Sequence, residues 1–245
     1  MDIIPFDLMF FSFILFIFIY IMKELSQFFL IQSAILIISF SILWFYIPVG
    51  GSLDLYLISP WVDVLGKFPL RDNWYLATLN HRYVKNIIIL IYSYYFFAWV
   101  TSFKFPKFKP LRHDYAYFFF ISMLCTILIG IIKAHSAHAC PWDMTIPTAT
   151  GSTWNFNAID GHCFPGGHAS TGFALMTGYF VYFKTAPKRA HFFLISGLIL
   201  GFAMGWAQMM RGAHFLSHNL WTAWFVWLIN FITYISIHLF KLLKT

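Results

Sequence analysis

Residues 115–132, YAYFFFISMLCTILIGII, hold no charged side chain. A stretch like this admits few conformations, because in a bilayer every backbone N–H and C=O must be satisfied within the segment, and a helix does that. About 18 to 20 apolar residues are enough to cross the hydrocarbon core. Further apolar stretches occur at about 8–22, 28–47, 86–103, 165–183, 191–210 and 219–239. Across the 245 residues 60% are hydrophobic and only 10% charged, whereas a soluble domain carries about a quarter charged residues. The expected fold class is therefore all-α, a polytopic integral membrane helical bundle. Residues 28–245 form a domain of six core transmembrane helices, and residues 1–27 an extra N-terminal hydrophobic segment. No cleavable signal peptide is expected, since Asp2 and Asp7 stand where a basic n-region would be.

The connectors orient the bundle. Residues 104–114 carry four Lys/Arg, 184–189 three and 241–245 two; with Lys23 this gathers ten of the sixteen basic residues on one side. Basic residues favour the cytoplasmic side. The opposite, outer side then receives 48–85, 133–164 and 211–218. The net charge of +7 follows from this arrangement, and no nucleic-acid partner is needed to account for it.

Gly197, Gly201 and Gly205 recur every fourth residue and are expected to let another helix approach closely. Cys140 and Cys163 share one outer loop, which faces an oxidising compartment, so a disulfide between them is expected. Closing that loop is worth about 3 kcal/mol in the chain-entropy account.

Six histidines fall in the outer loops after the fourth and sixth spans: His135, His138, His162, His168, His214 and His218. In "CFPGGHASTGFAL", Pro165 suits the first turn of a helix, and Gly166 and Gly167 leave backbone N–H groups uncovered at its positive end, an anion site with His168 as proton donor. Lys133 ends the fourth span and adds a positive charge on the same face. In "AQMMRGAHFLSH", His214 and His218 share a helix face if the stretch is helical, and Arg211 offers a planar fork for phosphate oxygens. A neutral histidine attacks phosphorus when its other ring nitrogen is held by a partner. Together these segments supply a nucleophile, a leaving-group acid, two cations and a backbone anion hole, the parts of a phosphoryl-transfer site that needs no metal or other cofactor.

In order and topology the three segments resemble the type-2 phosphatidic acid phosphatase superfamily of integral lipid phosphatases. The family pattern is Lys, six residues, Arg-Pro; Pro-Ser-Gly-His; Ser-Arg, five residues, His, three residues, Asp. This chain has Lys133, six residues, Cys140-Pro141; Pro165-Gly166-Gly167-His168; Ala207-Gln208, five residues, His214, three residues, His218. The resemblance implies that His214 forms a phosphohistidine, that His168 protonates the leaving alcohol, and that Lys133 with the Gly166–Gly167 backbone holds phosphate. Cys140 replaces a phosphate-binding arginine, Gly166 a serine, Gln208 a second arginine, and His218 the aspartate that orients the nucleophile. Arg211, about 4.5 Å further along a helix than Gln208, is expected to restore the missing charge, and Asp143 or Asp160 to supply the missing carboxylate.

"CPWD" and "GAHFLSHNLW" look like a bacterial subgroup that includes lipid A phosphatases. The resemblance thus implies a lipid phosphate or diphosphate as substrate (lipid A, undecaprenyl diphosphate or phosphatidylglycerophosphate class). It also implies an inner-membrane protein with its site facing the periplasm. The competing readings are a lipid-to-lipid phosphotransferase, a metalloenzyme using the His135/His138 and His214/His218 pairs, and an inactive membrane scaffold.

Overall fold

The computed structural model describes residues 27–158 and 161–242. The expected N-terminal segment at 8–22 and Asp160 lie outside them. The chain divides into two compact units, residues 1–41 and 42–245. Among the described residues five helices are long and apolar enough to cross a membrane: Gln27–Phe45, Tyr75–Lys104, Pro106–Ala134, Pro187–Met210 and Leu216–Lys241. The all-α membrane architecture expected from the sequence is present.

In chain order the elements begin with α1 (Gln27–Phe45) and the short α2 (Ser52–Ile58). A π-helical run, Tyr75–Val84, leads without a break into α3 (Lys85–Lys104). The third span therefore starts about ten residues before its apolar stretch, because hydropathy registers only the part of a helix that meets lipid. A 3₁₀ turn over Pro106–Leu111 leads into α4 (Arg112–Ala134). The loop after α4 contains an antiparallel hairpin, β1 (Thr145–Thr148) paired with β2 (Gly151–Trp154), with Thr148 opposite Gly151. The sequence reading contained no strands. The hairpin lacks the usual Asn-Gly turn signal, and Pro147 sits inside β1, where it can only occupy an edge.

The expected span at 165–183 is helical but broken into α5 (Gly167–Phe173), a 3₁₀ turn at Ala174–Met176, and α6 (Thr177–Tyr182). Neighbouring hydroxyls accompany the break: Tyr92 donates to the Thr171 carbonyl at 2.6 Å and Ser122 to the Ala174 carbonyl at 3.1 Å. This segment is enclosed by its neighbours, with Phe173, Ala174 and Thr177 fully buried. Next come α7 (Pro187–Met210) and α8 (Leu216–Leu242).

The glycine stripe of α7 faces this segment and α8. A Cβ on Gly201 would overlap the Phe173 ring, one on Gly197 would meet Met176, and one on Gly205 would fall 2.5 Å from the Asn219 amide carbon. In the reverse direction, a Cβ on Gly172 would lie 2.5 Å from the Gly201 nitrogen, so two backbones cross in near contact there. A second apolar cluster (Ile58, Phe68, Ala139, Met144, Met209 and Phe215) forms under the outer loops and fixes them to the helix ends.

Candidate active site

Three segments meet where the C-terminal ends of α4 and α7 and the N-terminal ends of α5 and α8 come together, and main-chain hydrogen bonds join them. Trp142 N–H donates to the Gly212 carbonyl at 2.9 Å, Cys163 N–H to the His138 carbonyl at 2.9 Å, and Gly166 N–H to the His218 carbonyl at 3.2 Å. The Cys140–Cys163 disulfide, with Cα atoms 5.1 Å apart, closes the loop between α4 and α5.

α7 stops at Met210, and Gly212 turns the chain with φ +79°, where a Cβ would collide with Phe68. His214 therefore lies in the connection, two residues before α8 begins, and not on a helix continuous with His218. The turn still brings the two rings together: Nδ1 of His214 and Nδ1 of His218 are 3.4 Å apart, one donating and one accepting according to tautomer. Both are buried, at 3% and 1% exposure. The contact engages Nδ1 of each ring, and the Cys163 backbone hydrogen-bonds the His214 ring as well. Burial, followed by the charges of His218, Lys133 and His168, pushes the His214 pKa well below 6.5, with the Cys163 backbone opposing the shift. At neutral pH the imidazole is thus uncharged, as a nucleophile must be.

Lys133 stands in the last turn of α4, and its Nζ donates to the His162 carbonyl at 2.6 Å. Its stem lies over Gly167, whose Cβ would be 3.1 Å from Lys133 Cδ. A side chain at this position would require the lysine stem to shift by a few tenths of an ångström. Pro165 falls just outside α5, which is N-capped by Gly166 and begins at Gly167. The Gly166 N–H is already engaged by the His218 carbonyl, so the donors that helix geometry leaves facing outward are those from Gly167 onward. Gly166 also makes room for Asn219, since a Cβ there would be 2.5 Å from Asn219 Oδ1. His168 is the second residue of α5, half-buried, and close enough to act electrostatically on His214.

Arg211 is half-buried at the end of α7. Its guanidinium donates to Gln208 Oε1 at 3.1 Å and to the Arg71 carbonyl at 2.6 Å. It thus meets the side chain that stands in the family's arginine position. Burial lowers its pKa, with Asp72 raising it and Arg71 lowering it further.

Of the two expected carboxylates, Asp143 is exposed and accepts from the Trp142 indole at 2.8 Å, and Asp160 is outside the described residues. The carboxylate next to the His214–α8 junction is instead Asp54, from α2. It is fully buried and accepts from Ser217 N–H at 2.9 Å, the Ser217 hydroxyl, and Gly50 N–H at 2.9 Å. A distant residue thus caps the N-terminus of α8, where donors outnumber acceptors. Burial raises the Asp54 pKa above its usual 3.8, and its hydrogen bonds to Ser217 oppose the rise. Sequence reasoning missed Asp54, Ser217 and Asn219, because only the fold brings α2 to the start of α8.

Among the described residues no three His, Cys, Asp or Glu side chains gather as a metal-ligand set. The histidine pairs proposed for a metal are therefore not joined by a third ligand there. No curated protein and no solved structure matches the chain. A family model described as the PAP2 superfamily does match, over residues 114–241, from the start of α4 to the end of α8. The stretch includes every motif residue discussed above, and with its long apolar helices the chain is an integral membrane member of the PAP2 superfamily, with phosphatase-type activity on phosphate esters.

Proposed function

We propose that the protein removes phosphate from a membrane lipid phosphate or diphosphate through a phosphohistidine on His214, at a site on the periplasmic face of a bacterial inner membrane. The observation that carries this reading is the buried His214, its ring against that of His218, with burial and the charges of His218, Lys133 and His168 pushing its pKa down. In the first step Nε2 of His214 attacks phosphorus. His168 gives its proton to the leaving oxygen, and Lys133 and the α5 backbone donors balance the phosphoryl charge. In the second step water, deprotonated by His168, attacks phosphorus and frees His214. Cleavage at a span mouth suits a substrate whose phosphate is held at headgroup level by its own acyl or prenyl chains.

The test is phosphate release by detergent-purified protein from a panel of lipid phosphates and diphosphates, with a chelator present. Release from at least one lipid, abolished in His214→Ala, is the expected outcome. Release that persists in the variant, or that needs added metal, would sink the phosphohistidine scheme.

A further inference from the structure

If His214 is the nucleophile, its support is unusual, because the ring that holds it is a second histidine with no negative charge. When the His214 ring binds phosphorus it becomes cationic, and an imidazole neighbour stabilises that cation poorly. An imidazole can do something a carboxylate does not. It takes a proton on one nitrogen and releases another from the opposite nitrogen.

The surroundings of His218 fit that use. Its Nδ1 faces His214 and the Cys163 backbone also hydrogen-bonds the ring, while its Nε2 is buried and has no hydrogen-bond partner among the described residues. Buried ring nitrogens are seldom left unpaired without a reason. His218 lines a mostly enclosed cavity of about 170 Å³, bounded also by Val49, Gly50, Met144, Phe215 and, on its outer side, His138. The two rings are 6.3 Å apart by centroid, a separation suited to one bridging water. The space holds several waters at about 30 Å³ each. His138 itself is exposed and also lines an open groove of about 630 Å³ with His135, Ser136 and Phe164. Its place is fixed by the Cys163 N–H bond to its carbonyl and by Cys140, two residues on, in the disulfide.

We propose that His138 is the outer end of a proton relay, His214–His218–water–His138, that replaces the charge of an orienting carboxylate by moving the proton away. As the His214 Nε2–P bond forms and the P–O bond to the leaving group breaks, that bond's electron pair stays on the leaving oxygen, which takes the His168 proton. The Nδ1 proton of His214 passes to Nδ1 of His218. The Nε2 proton of His218 passes through cavity water to His138, which ends as an imidazolium at the open groove. Hydrolysis reverses the path, since the P–N bond breaks while His214 regains its proton. Besides these rings, the ionisable groups facing the chain are Lys133 and His168 at the inner end and His135 at the groove.

This rests on the reading of His214 as nucleophile, and the test separates the two. Phosphate release from a dialkyl glycerol phosphate is measured for the wild type, His138→Ala and His138→Gln, each with and without added imidazole. The relay predicts that both variants lose about ten-fold or more in kcat with KM unchanged, and that imidazole saturably restores His138→Ala while leaving the wild type unaltered. An unchanged kcat in an active protein, or a loss that imidazole does not repair, overturns the relay alone. A wild type that releases no phosphate overturns the phosphatase reading for this lipid class and the relay with it.

Discussion

Burial and three basic neighbours hold the His214 pKa well below 6.5, and this has a consequence for stability as well as for chemistry. The unfolded chain takes up a proton on this ring near pH 6.5, whereas the folded chain resists protonation until lower pH. The His214 contribution to stability is therefore complete above that pH and is lost as pH falls below it. The thermal midpoint in detergent should drop on acidification below 6.5, and His214→Asn should flatten that dependence. A midpoint with the same acid slope in the variant would show that other groups carry it. At this scale the sequence was informative where candidate groups sit on short motifs: Lys133, His168, His214 and His218 could be named from it, and the fold brings them together. Asp54 was not, because a lone aspartate in a seven-residue helix carries no sign of the helix end it will cap.

The helices show a similar division. The stripe of Gly197, Gly201 and Gly205 announced a close helix crossing, and the partner is the broken α5–α6 segment together with Asn219 of α8. Gly201→Ala puts a methyl into the Phe173 ring, and overpacking of this kind costs about 1–3 kcal/mol. A lower thermal midpoint with the motif residues intact is expected, and an unchanged midpoint would mean that α7 moves freely away from α5. The interruption of α5–α6 was not legible. It goes with tertiary hydrogen bonds from Tyr92 and Ser122, and such contacts override local propensity. The hairpin was missed for a related reason. Its strands are held by Gly66 and the outer apolar cluster around Met144 and Phe215 more than by turn residues of their own.

For the whole molecule, the charge asymmetry makes a definite statement about sidedness. Lys104, Lys107, Lys109 and Arg112, at the junction of α3 and α4, lie at the end opposite the histidine-bearing loops. A cysteine introduced at Ser136 should be labelled by an impermeant maleimide on intact spheroplasts, and one at Lys107 only after permeabilisation. The opposite pattern would place the site in the cytoplasm. The helical bundle could be read from composition because lipid forces a simple code on the chain. The outer loops obey no such code, and their packing around Phe68, Met209 and Phe215 emerges only when the helix ends are brought together.

The bonds that join those loops run between main-chain atoms: Trp142 to Gly212, Cys163 to His138, Gly166 to His218. Such bonds do not depend on which charged side chains line the site, although Gly166 and Gly212 must stay without a side chain for two of them to form. An ancestor with a different set of charged residues could thus have exchanged them one at a time without losing the shape of the site. The chemistry of such a scaffold is open to revision by single substitutions while its architecture stays still.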